Sequence, residues 1–148
     1  MSSPRQALLK RRASYTKEQF SAHWLKHGAK VTPWALENGV TFYAQIHNPS
    51  IAPGVTVPST VNILEWDGAA EMVFGRGPDL KSTSKSDYYH QKVILPDERA
   101  FLTSEALQHL QWMDPGAIVG DKVIIIQDGK ALIDCEEDMK IWNEWPAK

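Results

Sequence analysis

The sequence predicts an α+β domain, an antiparallel sheet with helices on one face, and three stretches carry that prediction. "VTFYAQIH" (residues 40–47) alternates with the period of a strand: Val40, Phe42, Ala44 and Ile46 fall on one face, Thr41, Tyr43, Gln45 and His47 on the other. "DKVIIIQDGKA" (121–131) holds a run of β-branched residues closed by Asp128-Gly129. In "SYTKEQFSAHWLKHG", Phe20, Trp24 and His27 follow at i, i+4 and i+7, the spacing of one helical face. A chain of 148 residues fits a single domain, 1–148, with enough mass to bury a core.

The first strand lies in "QALLKRR" (6–12), a short apolar run ending in charge. Thr16 then caps a helix, with Gln19 three positions on to complete a capping box. Gly28 is expected to end this helix, and Pro33 to open a second short one, "PWALENG", stopped at Asn38-Gly39. After strand 40–47, the Pro/Gly-rich "NPSIAPGVTVPS" (48–59) reads as a loop long enough for a lid or an interface arm. "TVNILEW" (60–66) is expected as the third strand and "AAEMVFGRG" as a short helix. "SKSDYYHQKVILPDERAFLT" reads as helical turns broken at Pro96, and "EALQHLQWM" as one more turn. The strand 121–131 completes the sheet. Trp142 and Trp145 are too apolar to leave the tail unpacked. This order is the split βαβ arrangement of a ferredoxin-like domain. Its second sheet face would stay exposed in a monomer, so sheet-to-sheet dimerisation is expected.

Composition narrows the function. The 43% hydrophobic and 23% charged fractions are those of a folded domain. Net charge is −2 with both signs interspersed, and Lys10-Arg11-Arg12 is too short a basic cluster to bind phosphates, so no nucleic acid partner is expected. Cys135 is the single cysteine, which excludes an internal disulfide and points to a reducing, cytoplasmic setting. The first residues lack the apolar core of a secretory signal, and no run approaches the roughly 20 apolar residues that span a bilayer. No membrane partner is expected. Six tryptophans suit a flat aromatic pocket or a large buried interface.

The histidines carry the candidate chemistry. His23 and His27 have helix-compatible metal spacing, but Trp24 rather than Glu follows His23 and no third ligand is near, so no metal is expected. His23 reads as a surface residue. His27, on the face of Phe20 and Trp24, is either a core histidine satisfied by a backbone carbonyl or a proton carrier at the mouth of an aromatic cavity. Tyr43, Gln45 and His47 form either the polar face of a half-buried sheet or a donor, an amide and a proton carrier along one wall. Asp87 and His90 stand at i and i+3, where the carboxylate could orient the imidazole or both could be solvated. His109 and Cys135 have no supporting pattern.

Two segments resemble the EthD family of dimeric α/β-barrel proteins. In "LLKRRASYTKEQFSAHWLKHG" the pattern is a strand ending in Lys-Arg, Ser/Thr-x-x-x-Phe, a Trp and a closing His-Gly, met by Phe20, Trp24, His27 and Gly28. In "DYYHQKVILPDERAFLT" a Tyr-rich helix leads to Pro-Asp-Glu and a Phe. Ala29 departs from the Pro that the family often has after His-Gly or His-Ala. The resemblance implies a ferredoxin-like homodimeric barrel, similar to fungal enzymes that decarboxylate anthrone-type aromatic polyketide acids such as atrochrysone carboxylic acid without a cofactor. On that reading His27, His47 and Tyr43 are the catalytic candidates. Trp24, Phe42, Gln45, Trp66, Asp87 and His90 would hold the substrate. A dehydratase or aldol cyclase acting on a similar polyketide, and a carrier for a planar aromatic ligand, are the alternatives.

Overall fold

The computed structural model describes residues 4–75 and 84–145. Six strands form one antiparallel sheet: β1 (Gln6–Leu9), β2 (Val40–Ile51), β3 (Gly68–Phe74), β4 (Gln111–Met113), β5 (Ile118–Gln127) and β6 (Lys130–Ala131). Their order is β4-β1-β3-β2-β5-β6. The first four strands in the order β4-β1-β3-β2 are the split βαβ sheet expected of a ferredoxin-like fold. The place beside β1, however, goes to Gln111–Met113, read from sequence as a helical turn. The long strand at 118–127 lies at the other side, against β2.

The long helix α1 (Lys17–Glu37) starts at the expected capping box, Gln19 N donating to Thr16 Oγ1 at 3.0 Å and Thr16 N donating to Gln19 Oε1 at 2.8 Å. It does not stop at Gly28. A Cβ there would lie 2.5 Å from Ile125 Cδ1 and 2.8 Å from Gln45 Nε2, so this glycine marks where the helix presses closest to the sheet. Pro33 sits inside the same helix rather than opening a new one. Burial of Val31 and Ala35 against β2 and β5 outweighs the single amide bond that proline forfeits. The stop is where expected, with Asn38 Nδ2 donating to Trp34 O and Gly39 at φ 83°.

The third strand is Gly68–Phe74, not residues 60–66, which instead hold a single turn of 3-10 helix at Ile63–Glu65. Ala69, Ala70, Glu71 and Met72 favour a helix locally, but pairing with β1 on one side and β2 on the other decides the conformation. Beyond Gly75 the "AAEMVFGRG" stretch lies outside the described residues. A Cβ on Gly68 would land on the Trp24 ring.

On the same layer as α1 run α2 (Ser84–Tyr89), a π turn (His90–Ile94) and α3 (Leu95–Phe101). The expected break at Pro96 is absent. Leu95 N donates to His90 O, five residues back, and the wide turn lets proline enter the first turn of α3 without a clash. Then come α4 (Ala106–His109) and, after the β5–β6 turn at Asp128-Gly129, α5 (Glu136–Glu144), which buries Trp142 beside Tyr89.

The core has two sides. Facing the helices, Val31, Ala35, Tyr43, Tyr89, Ile125 and Ile126 pack together, and Leu9, Phe20, Trp24, Phe101 and Leu102 form the adjoining cluster. On the far face, Leu8, Ile46, Ala69 and Met113 are covered by Ile51, Val57, Val61, Ile63 and Trp66. The stretch expected to be a 48–59 loop therefore continues β2 to Ile51 and then folds over the far side of the sheet. That face is partly covered within one chain, contrary to the expectation that it stays open. A bulge near Val40 also turns that residue toward Tyr43, against the simple alternation. No helix among the described residues is long and apolar enough to cross a membrane.

Candidate functional site

A cavity of about 330 Å³ lies between the helices and the sheet. Its floor is Ala7, Leu9, Ala70 and Met72, its roof Trp24, Val31, Ile94 and Phe101, and its lip Arg5, Leu107 and Trp112. Polar groups are few: His27, Tyr43, Glu98 and His90 project into an otherwise hydrocarbon space, with Arg5 at the rim. The volume sits at the lower end of small-molecule sites, roughly 300–1,000 Å³.

His27 is 5% exposed and its partner is a carboxylate, not a backbone carbonyl. Its Nδ1 lies 2.7 Å from Asp97 Oδ2, across from α1 to α3. An acceptor there holds the proton on Nδ1 and leaves Nε2 unprotonated, with Glu98 Oε2 3.8 Å away. Burial works against the Asp97 charge, but the hydrogen bonds from His27 and His23 outweigh it and keep this carboxyl below the usual carboxylate range. His23 is thus not the plain surface residue expected of it: Nε2 meets Asp97 Oδ1 at 2.9 Å and Nδ1 meets Tyr15 Oη at 3.1 Å. Phe101 packs against both imidazoles, stacked on His23 at 4.6 Å and tilted on His27 at 5.1 Å.

The Tyr43–Gln45–His47 row exists as a hydrogen-bonded row along β2. The Trp24 carbonyl can only accept, so Gln45 Nε2 faces it at 2.8 Å and also donates to Tyr43 Oη at 3.3 Å. Gln45 Oε1 is left to accept from His47 Nε2–H at 3.0 Å, and Ser21 Oγ donates to the other ring nitrogen at 2.9 Å. Burial lowers the His47 pKa, with Asp121 pulling weakly the other way, so the ring is held neutral. Burial pushes the Tyr43 phenol up to about 12, against a smaller opposing effect of Gln45 and with Glu98 adding to it. Tyr43 lines the cavity and accepts from Gln45, which leaves its O–H as a donor.

A model of the EthD domain matches residues 12–105, nearly two thirds of the chain, from just before the capped helix through α3. The chain belongs to the EthD family. No match to a curated protein or to a solved structure was found.

Within this EthD domain the predicted site residues divide. Trp24, His27, Tyr43 and His90 line the cavity, His90 resting on Trp34 at 5.3 Å. His47 and Gln45 are buried behind its wall, His47 under the Trp24 ring, and neither is among the lining residues. Phe42 is absent from the lining, since it alternates with Tyr43 along β2. Trp66 packs on the far face of the sheet beneath Lys10, because residues 60–66 are not the third strand. Asp87 is exposed and away from the lining. The residues that sequence reasoning missed are Asp97 and Glu98. Their signal was present in "PDERAF": an acidic pair in the first turn of a helix, with Phe101 one turn on from Asp97. Among the described residues no group of three or more His, Cys, Asp or Glu side chains could hold a metal ion.

Proposed function

We propose that this EthD protein is a cofactor-free decarboxylase of an anthrone-type aromatic polyketide carboxylic acid. The observation that carries the reading is the His27–Asp97 pair, an oriented imidazole at the wall of a cavity that is otherwise almost all hydrocarbon. A carboxylate beta to a ketone loses CO2 when the electrons of the breaking C–C bond pass into the carbonyl to form an enol. One proton must then be added to the carbon that carried the carboxylate. Apolar walls disfavour the localised carboxylate charge relative to the delocalised enolate. Tyr43, neutral and with a free O–H, donates to the carbonyl oxygen as charge develops on it. His27 Nε2, unprotonated at rest, first takes the proton of the substrate's carboxylic acid, Asp97 stabilises the imidazolium so formed, and Nε2–H then returns that proton to carbon as CO2 leaves. Trp24, Phe101 and Met72 flank the flat ring system, and His90 with Trp34 holds its far end.

The close approach of Glu98 to His27 favours one second reading, loss of water from a similar substrate, with the carboxylate and imidazole as an acid–base pair. Incubating the protein with a carboxylated anthrone precursor and analysing the products separates the two. Release of CO2 supports the decarboxylase, and loss of water alone supports the dehydratase. Tight binding with no product supports a carrier. A homodimer is part of the same proposal, supported by the family match and by the partly uncovered far face of the sheet; sedimentation in solution tests it.

A further inference from the structure

Asp97 serves two imidazoles. Its Oδ2 accepts from His27 Nδ1 at 2.7 Å, and its Oδ1 from His23 Nε2 at 2.9 Å. His23 stands one turn before His27 on α1, so the two rings meet the two oxygens of one carboxylate on α3. His23 is not among the cavity-lining residues, so no substrate bound there touches it. Its second nitrogen faces the Tyr15 hydroxyl at 3.1 Å, and its ring lies on Phe101, the aromatic that also braces His27.

Resting on the acid–base reading of His27, we propose that His23, backed by Tyr15, is a positioning residue: it pins the second oxygen of Asp97 and thereby fixes the orientation and tautomer of the His27 ring. The terminal torsion of an aspartate is broad, so a carboxylate held through one oxygen pivots about it. Holding the other oxygen to a ring on the same helix removes the pivot. The tautomers then follow in sequence. Tyr15 O–H donates to Nδ1 of His23, which leaves Nε2–H of His23 to donate to Asp97. Asp97 accepts Nδ1–H of His27, which leaves Nε2 of His27 unprotonated. The titratable groups facing this pair are Tyr15, Asp97 and, beyond Asp97, Glu98.

The test is nitrogen-15 spectroscopy of the imidazoles in the full-length protein at neutral pH, without substrate, in wild type, His23→Ala, His23→Gln and Tyr15→Phe. Wild type is expected to show His27 as a single Nδ1–H tautomer with a slowly exchanging Nδ1 proton. His23→Ala is expected to average the two His27 tautomers and lose that protected signal. His23→Gln, whose amide N–H reaches the same oxygen, is expected to restore it, and Tyr15→Phe to weaken it. A single, protected His27 tautomer in both His23→Ala and Tyr15→Phe overturns the proposal, as does a Gln variant that behaves like Ala. Should His23→Ala fail to fold, an unchanged His27 in Tyr15→Phe is itself decisive against it. Because the spectra are read without substrate, failure of the decarboxylase reading leaves this test intact. Where that reading holds, kcat in His23→Ala falls about tenfold while KM stays near wild type.

Discussion

Asp97 Oδ2 and His27 Nδ1 lie 2.7 Å apart although 70 residues separate them in sequence, and this contact turns a core histidine into an oriented one. It joins the two segments of the chain that carry the family resemblance, the capped helix and the "PDERAF" turn. Replacing Asp97 by Asn keeps the shape but offers a donor where an acceptor stood, which reverses the His27 tautomer and protonates the wrong nitrogen. Turnover in Asp97→Asn is expected to fall about 100-fold or more with the fold intact, measured as kcat beside a circular dichroism spectrum.

On the proposed mechanism Tyr43 is the oxygen-holding donor of the site, and the hydrogen bond from Gln45 orients it. Tyr43→Phe is expected to lower kcat by about 10- to 100-fold, with a smaller change in KM, since the bond strengthens as charge grows on the substrate oxygen. With the phenol pushed up to about 12, the wild-type rate is expected to show no tyrosine limb up to about pH 10. A pH–rate series on both proteins checks this.

Acid lowers stability in two separate windows. The folded-state pKa of His47, lowered by burial, lies beneath its unfolded value, as does that of His109. Above the ordinary histidine pKa both states are neutral and neither group costs anything. As pH falls below about 6.5 the unfolded chain binds protons that the folded state refuses, so stability drops. Asp97 has the same sign in a lower window: its contribution is complete above the ordinary carboxylate pKa and is lost as pH falls through its lowered one. Urea unfolding at pH 7.5 and pH 5.0 is expected to show a smaller loss for His47→Gln than for wild type.

Gly68 holds β3 open to the Trp24 ring. Gly68→Ala is expected to cost about 1–3 kcal/mol and to lower Tm, because the methyl displaces a ring buried to 1% exposure. Gly54→Ala, where the added carbon meets nothing, isolates the backbone contribution at a positive φ from the packing contribution at Gly68.

How legible each feature was in the sequence depends on how far away its cause lies. The capping box at Thr16, the stop at Asn38-Gly39 and the Asp128-Gly129 turn have causes within four residues, and the structure has them as read. The Tyr43–Gln45–His47 row was visible because a strand's period of two puts those side chains on one face. Gly28 and Pro33 misled because the packing of α1 on β2 and β5 overrides local breaking signals. Residues 69–74 read as helix because the pairing that makes them a strand comes from β1 and β2. Trp66 and Asp97 show the same limit at the site. One was assigned to a pocket that a strand at 60–66 would have approached, and the other was passed over because its partners lie on a different helix.

On the proposed mechanism His27 carries the proton that replaces the departing carboxylate. The most direct measurement is release of labelled CO2 from a carboxyl-labelled anthrone acid by wild type and His27→Ala, with binding followed in parallel by tryptophan fluorescence. Wild type is expected to release CO2 rapidly and His27→Ala to release it about 100-fold or more slowly, with binding retained. Equal release by the two proteins would contradict that role for His27.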